Sequence, residues 1–309
     1  MIKKITVDDA IGALNGVLGD YLVRTNNGLA FEMAFTQEPP RARRIALFVH
    51  GLMATDGCWS LFGLSYPEEL EKDLGIPALF VRYNSGRHIS ENGRALNLLL
   101  EELVLSRGDD LDEILLIGHS MGGLVIRSAT HFATTSPQEK PAAWLGKVKK
   151  AFYIGSPHLG APLERFGHAL TWVLKKAGAA LSDPVAEVLA QTLSLRSSGI
   201  KDLRYGNLRD EDWTDRDPDE LLQNGRHPVP LLPSIRHHLL AGVLPQQREL
   251  AAFFGDGIVP PSSALGRARE RDKSPIFPEE HVRIFERVSH TQLLADREVY
   301  EQLKDWCSQ

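Results

Sequence analysis

One serine stands in the setting that nucleophilic catalysis requires. Ser120 lies in the run GHSMGG at positions 118–123, directly after an apolar segment. Glycines two residues before and two after the serine allow a very tight strand-to-helix turn, because no Cβ obstructs the neighbouring chain. Such a turn lifts the hydroxyl clear of the backbone, and the helix N-terminus favours negative charge on a substrate oxygen. We therefore predict that Ser120 is a nucleophile.

A histidine is needed to take the serine proton, and the sequence offers eleven. His290 is the best placed, because it follows the predicted strand segment 282–288 and so lies at the sheet edge where ligands gather. We predict that His290 is the general base. The other candidates lie at the opposite end of that strand, before another strand, or in packing beside the serine: His281, His237, His238 and His119.

An acid must orient the histidine, and Asp256 is the predicted one. It lies in the run GDG at positions 255–257, after the apolar segment 239–243. The two glycines allow a sharp turn that aims the carboxylate at the imidazole Nδ1–H, which fixes the tautomer and stabilises the imidazolium. Asp202 is the alternative. We expect the remaining acids of that region to form a solvated surface: Asp210, Glu211, Asp212, Asp215, Asp217 and Asp219.

Two backbone N–H groups are needed to hold the oxyanion of a tetrahedral intermediate. One is predicted to be that of Met121, the residue after the serine. The other is that of Leu52, in the run HGLM at positions 50–53, where Gly51 would let the loop approach the serine.

These residues follow short apolar runs that alternate with amphipathic stretches, a pattern typical of a mostly parallel sheet covered by helices. We predict helices at 90–107, 121–134 and 292–306. Strands are predicted at 45–50, 78–83, 114–117, 151–154, 239–243 and 282–285.

The alternation of apolar runs and amphipathic stretches is lost in the segment 158–238. We interpret this segment as a lid or cap insertion within a single domain, 1–309. The segment is predicted to contain two helices. The second begins at Asp183-Pro184, since Asp suits the N-cap and Pro the first helical position. These helices could form the wall and movable cover of an acyl pocket, or simply pack. The apolar face of the first is Leu163, Phe166, Leu170, Val173 and Leu174, and that of the second is Val185, Val188, Leu189 and Leu193.

The net charge, the apolar runs and the cysteine spacing argue against several classes of function. The net charge is -5 and the pI about 6.1, so nothing favours a nucleic-acid partner. No apolar run is long enough for a transmembrane helix, and acids interrupt the N-terminal apolar positions. Cys58 and Cys307 form no metal-ligand spacing. We expect a cytoplasmic protein, and the oligomeric state stays open.

Several segments together resemble α/β-hydrolase lipases and esterases, especially the bacterial enzymes similar to GPI inositol-deacylase and triacylglycerol lipases. The resemblance implies an α/β-hydrolase fold, a serine esterase activity and a helical lid. Secreted lipases of this kind often carry a calcium-binding aspartate soon after the histidine, whereas here the first acid is Asp296, so no metal and no cofactor are predicted. The matching segments are FVHGLM at 48–53, RYNSG at 82–86, GHSMGG at 118–123, YIGSPHLGAPLE at 153–164, GDGIVP at 255–260 and VSH at 288–290.

The predicted function is hydrolysis of a small-molecule or lipid ester through a Ser-His-Asp triad and an acyl-enzyme. Two alternatives stay open. The same triad could serve a thioesterase or transfer the acyl group to another acceptor, since only exclusion of water separates transfer from hydrolysis. The chain could also be a silent hydrolase-fold module that binds an apolar ligand or a protein.

Overall fold

Seven strands form one sheet in the computed structural model, which describes residues 6–61, 63–135, 141–162, 197–214, 226–244, 256–267 and 275–309. Their order across the sheet is β1-β3-β2-β4-β5-β6-β7. Every neighbouring pair is parallel except β1 with β3. The strands are β1 Ala34–Phe35, β2 Arg44–Val49, β3 Ala78–Arg82, β4 Glu113–His119, β5 Val148–Ile154, β6 Arg236–Val243 and β7 Val282–Glu286.

Helices cover both faces of this sheet. Alternate residues of β2 point to opposite sides: Ile45 packs with side chains of α3 and α4, and Phe48 packs with those of α2 and α7. The predicted sheet flanked by helices is confirmed. The helices of the described residues are α1 Val7–Arg24, α2 Tyr66–Leu74, α3 Ile89–Arg107, α4 Met121–Thr134, α5 Ser198–Tyr205, α6 Pro261–Ala264 and α7 Arg297–Ser308.

Most predicted elements are present with shifted ends. β6 begins at Arg236, so His237 and His238 lie within a strand rather than before one, and 236–238 belong to the sheet rather than to the predicted insertion. The predicted last helix is a 3-10 turn, Gln292–Leu294, followed by α7. Asp296 caps α7 by accepting two backbone N–H groups, which accounts for the first acid after His290.

Helix α1 is the main element that the sequence pattern does not predict. Three of its glycines lie where a Cβ would collide with loops of the sheet: Gly12 against Ala54 and Thr55, Gly16 against Met53, and Gly19 against Asn84. α1 therefore packs closely on the loops that follow β2 and β3.

The predicted insertion is described only in part. The helices predicted from Leu163 to Leu193 lie outside the described residues, as do Gly255 and the acids Asp215, Asp217 and Asp219. Of the acids expected to be solvated, Asp212 is instead buried, at 3% exposure. It accepts the backbone N–H groups of Leu208 and Arg209, and so holds the turn after α5.

Candidate active site

Ser120 lies between the end of β4 and the first residue of α4. Its backbone has φ 53° and ψ -122°, a conformation that costs a non-glycine residue about 1–3 kcal/mol. Crowding explains both flanking glycines: a Cβ on Gly122 would lie 2.2 Å from Val49 O, and one on Gly118 would lie 2.6 Å from Gly123 N. The turn therefore exists only because these positions carry no side chain.

His290 and Asp256 are in contact, although they come from different loops. His290 Nδ1 lies 2.7 Å from Asp256 Oδ2, and the His290 backbone N–H donates to Asp256 O at 3.0 Å. The second carboxylate oxygen, Oδ1, accepts the N–H groups of Ile258 and Val259 at 3.0 and 2.8 Å. Three hydrogen bonds thus fix the carboxylate. Both side chains are buried.

Burial by itself would raise the pKa of Asp256. The adjacent His290, its hydrogen bond and the two backbone donors outweigh this, and they hold the pKa below the ordinary carboxyl value. Asp256 therefore stays ionised at neutral pH, which suits an acceptor for the Nδ1–H of a histidine.

Ser120 and His290 lie on either side of the end of β5. The Ser120 N–H donates to Ile154 O at 2.8 Å, and a Cβ on the next residue, Gly155, would lie 3.2 Å from two atoms of the His290 ring. Among the described residues, no hydrogen bond joins the Ser120 hydroxyl to the His290 ring. The acid and the histidine are thus paired directly, and the serine lies nearby without a direct bond to them.

The two predicted oxyanion donors belong to segments that meet at the serine. A Cβ on Gly51 would lie 3.0 Å from the Ser120 Cβ, so the loop after β2 touches the turn that carries Ser120. The N–H groups of Leu52 and Met121 donate to no acceptor within the described part of the chain. They are therefore free to donate to a ligand beside Ser120.

A buried histidine, His119, lies between the predicted base and a tryptophan. The His119 ring lies 4.7 Å from that of His290 and 6.3 Å from that of Trp59, between centroids. Burial, and then the nearby His290, lowers the pKa of His119 to about 3, so its ring is neutral. Its Nε2 lies 3.2 Å from His290 O, where it can donate a hydrogen bond. The predicted packing role of His119 thus includes a contact that the sequence did not reveal.

Asp202, the alternative acid, serves another part of the fold. Its carboxylate accepts the Ile89 N–H at 2.8 Å and lies 3.0 Å from His88 Nδ1, so it caps the start of α3. Burial raises its pKa against the effect of these bonds. Its nearest basic group is His88, which stacks on Trp213 at 3.7 Å between ring centroids.

Sequence patterning also missed Ser85, in the RYNSG segment. Its hydroxyl accepts the N–H of Met53, in the loop that carries Leu52. The only available signal was the match of that segment to the lipase-like pattern.

In the described ranges, no group of three or more His, Cys, Asp or Glu side chains could hold a metal ion. Within the same ranges, no helix combines the length and the apolar composition that a membrane-spanning segment needs.

Solved structures with a similar fold include a Bacillus licheniformis lipase in its mature form, with 20% identity and a TM-score of 0.48, covering 88% of this chain and 98% of that one. The propeptide form of that lipase has 19% identity and a TM-score of 0.50, and the match covers 88% of this chain and 53% of that one. Aspergillus fumigatus lipase B has 9% identity and a TM-score of 0.51, with 90% and 56% covered. At these identities the likeness shows the fold alone.

A comparison with curated proteins finds no match. The family model described as the alpha/beta hydrolase family matches residues 46–302, a range that contains every residue of the site described above. The chain therefore belongs to the alpha/beta hydrolase family, and the fold class predicted from its sequence is confirmed.

Proposed function

We propose that this protein is a serine hydrolase of carboxylic esters, with Ser120 as nucleophile, His290 as general base and Asp256 as orienting acid. The contact of 2.7 Å between His290 Nδ1 and Asp256 Oδ2 carries this proposal, because it leaves Nε2 as the ring nitrogen available to a serine. A purely structural Asp-His pair would not require a strained serine at the adjoining strand end.

In the first step, His290 Nε2 takes the Ser120 proton while Oγ attacks the ester carbonyl carbon. The carbonyl electrons move to oxygen, which gives a tetrahedral oxyanion. On its collapse the bond to the alkoxy group breaks, and that group leaves as an alcohol with the proton returned from His290. The acyl group then remains on Ser120.

In the second step, a water molecule gives a proton to His290 and attacks the acyl carbon. The second tetrahedral intermediate expels Ser120 Oγ, which takes the proton back, and the carboxylic acid leaves. In both intermediates the oxyanion accepts the N–H groups of Leu52 and Met121, whose freedom in the described structure supports this assignment. The ionised Asp256 stabilises the imidazolium that forms in each step.

The distance from Ser120 to the base must close during the reaction. Catalytic hydrogen bonds in free enzymes are often long and tighten only when substrate binds. We propose that rotation of the Ser120 hydroxyl about its side-chain bond, with the His290 ring held by Asp256, closes this distance.

The test compares two serine variants. Ser120→Ala should abolish turnover of p-nitrophenyl esters, because the acyl-enzyme of the proposed mechanism forms on the hydroxyl that this change removes. The matched control is Ser128→Ala, which also removes a buried hydroxyl. The hydroxyl of Ser128 donates to Leu208 O at 2.7 Å. This variant should retain turnover. Wild-type turnover in folded Ser120→Ala would exclude the proposed nucleophile.

The class of ester is a separate question. Two of the solved structures that this chain resembles are lipases, the propeptide form of the Bacillus licheniformis enzyme and Aspergillus fumigatus lipase B, which supports an ester substrate here. A series of p-nitrophenyl esters of increasing chain length, with and without micelles, would separate short soluble esters from lipids. We propose that residues 158–235 of the insertion act as the lid over this site. Deletion of residues 163–193 should then change the chain-length preference, and an unchanged preference would exclude the lid.

A further inference from the structure

The loop that carries Leu52 contains a strained residue. Met53 has a φ of 59°, in the left-handed region that side chains rarely adopt, and it is buried. Such a conformation persists only where the surroundings hold it. The contacts of Met53 therefore determine where the adjoining Leu52 N–H points.

One of these contacts comes from the loop after β3. Ser85 Oγ accepts the Met53 N–H at 3.0 Å, and Ser85 is fully buried. From the other side, α5 packs on this residue so tightly that a Cβ on Gly199 would lie 2.2 Å from Ser85 O. The hydroxyl is thus a fixed acceptor for the loop.

The residue before Ser85 is anchored to two helices. Asn84 Nδ2 donates to Gly19 O of α1 at 3.0 Å, and Asn84 O accepts Nδ2 of Asn92 in α3 at 3.0 Å. Its Oδ1 accepts the Gly86 N–H at 3.1 Å. The position of Ser85 is therefore set by elements outside the triad.

Helix α1 supports the same loop directly. A Cβ on Gly16 would lie 2.4 Å from Met53 Cγ and 2.7 Å from Met53 N, so the helix backbone lies against the strained residue. Two residues further along, Thr55 Oγ1 donates to Asp9 Oδ1 of α1 at 2.7 Å. Met53 is thus held between Ser85 and Gly16.

We propose that Ser85 is a positioning residue for the oxyanion loop: it fixes the strained Met53, and with it the Leu52 N–H, while α1 backs the loop at Gly16. This inference rests on the proposed function, because it assigns Leu52 to oxyanion binding. It gives a catalytic purpose to the RYNSG segment and to a helix outside the range of the family match.

The first test is Ser85→Ala, with Ser128→Ala as control. Loss of the acceptor should let Met53 relax and move the Leu52 donor. We expect kcat to fall about 10- to 100-fold, less than for complete loss of a donor, with KM changed by less than about threefold. The inhibition constant of a trifluoromethyl ketone, which forms an oxyanion on Ser120, should rise by about the factor by which kcat/KM falls. Ser128→Ala should change neither.

The second test is Gly16→Ala, with Gly28→Ala as control. A methyl group at Gly16 must displace Met53, whereas nothing lies within 4 Å of a Cβ on Gly28. Gly16→Ala should show the same joint loss of kcat and inhibitor affinity, and it decides the question should Ser85→Ala fail to fold.

Unchanged kcat and inhibitor affinity in folded Ser85→Ala or Gly16→Ala, with Ser120→Ala inactive, would overturn the positioning role and leave the proposed function standing. Retained turnover in Ser120→Ala would instead overturn the proposed function itself.

Discussion

The two oxygens of the Asp256 carboxylate accept hydrogen bonds from different groups. Oδ1 accepts two backbone N–H groups that hold the loop, and Oδ2 accepts from His290 Nδ1. In Asp256→Asn an amide can replace the second oxygen and donate to Nδ1, which leaves the proton on Nε2. His290 could then no longer accept the Ser120 proton. We expect kcat to fall about 10³- to 10⁴-fold at neutral pH, measured with a p-nitrophenyl ester.

Asp212 provides a matched control for this change. It is also a buried aspartate whose carboxylate accepts backbone N–H groups, here three of them, and its Oδ1 lies 2.9 Å from His227 Nδ1. Asp212→Asn should reduce stability and leave kcat within about threefold of wild type, because no proton transfer depends on it. Equal kcat losses in the two variants would mean that Asp256 has only a structural role.

At the scale of elements, the tight turn between β4 and α4 depends on how closely the helix approaches β2. In Gly122→Ala, the new methyl group would lie 2.2 Å from Val49 O, so α4 must move away. We expect a loss of about 1–3 kcal/mol of unfolding free energy, from urea titration, together with reduced kcat.

Gly146→Ala is the control for this prediction, because nothing lies within 4 Å of a Cβ there. It should leave both quantities close to wild type. If Gly122→Ala behaves like Gly146→Ala, the close packing of α4 on β2 is not what holds the turn.

The sequence predicted the elements whose patterns arise from local burial. The apolar runs of β2 and β4 and the glycines around Ser120 could be recognised without coordinates, because burial and crowding act on neighbouring residues. Helix α1 could not, because Gly12, Gly16 and Gly19 lower helix propensity and are explained only by loops that pack on them. The same holds for Asp202 and Ser85, whose partners lie far away in the chain.

At the scale of the whole molecule, several buried histidines couple stability to pH. Burial is the first cause in each case: it lowers the pKa of His50 and His237 to about 4, and that of His119 and His238 to about 3. In the unfolded chain these groups bind protons near their ordinary pKa of 6.5. The unfolded state therefore gains protons first, and stability should fall as pH drops from about 6.5 towards 4. Urea midpoints measured across this range check the expectation.

His238 offers a direct test of this linkage. Neither of its ring nitrogens has a hydrogen-bond partner in the described structure, and the ring stacks on Phe152 at 5.0 Å between centroids. His238→Phe removes a proton site and breaks no hydrogen bond. The urea midpoint should then fall less between pH 7 and pH 5 than it does in the wild type. An identical decline in the two proteins would exclude His238 as a source of acid lability.

The central claim is that Ser120 is activated by the pair of His290 and Asp256. The most direct measurement is the site of covalent modification by a fluorophosphonate, found by intact mass and peptide mapping. We predict one adduct per chain, on Ser120, formed much more slowly in His290→Ala. An adduct on another residue, or equally fast labelling of Ser120 without His290, would contradict the account.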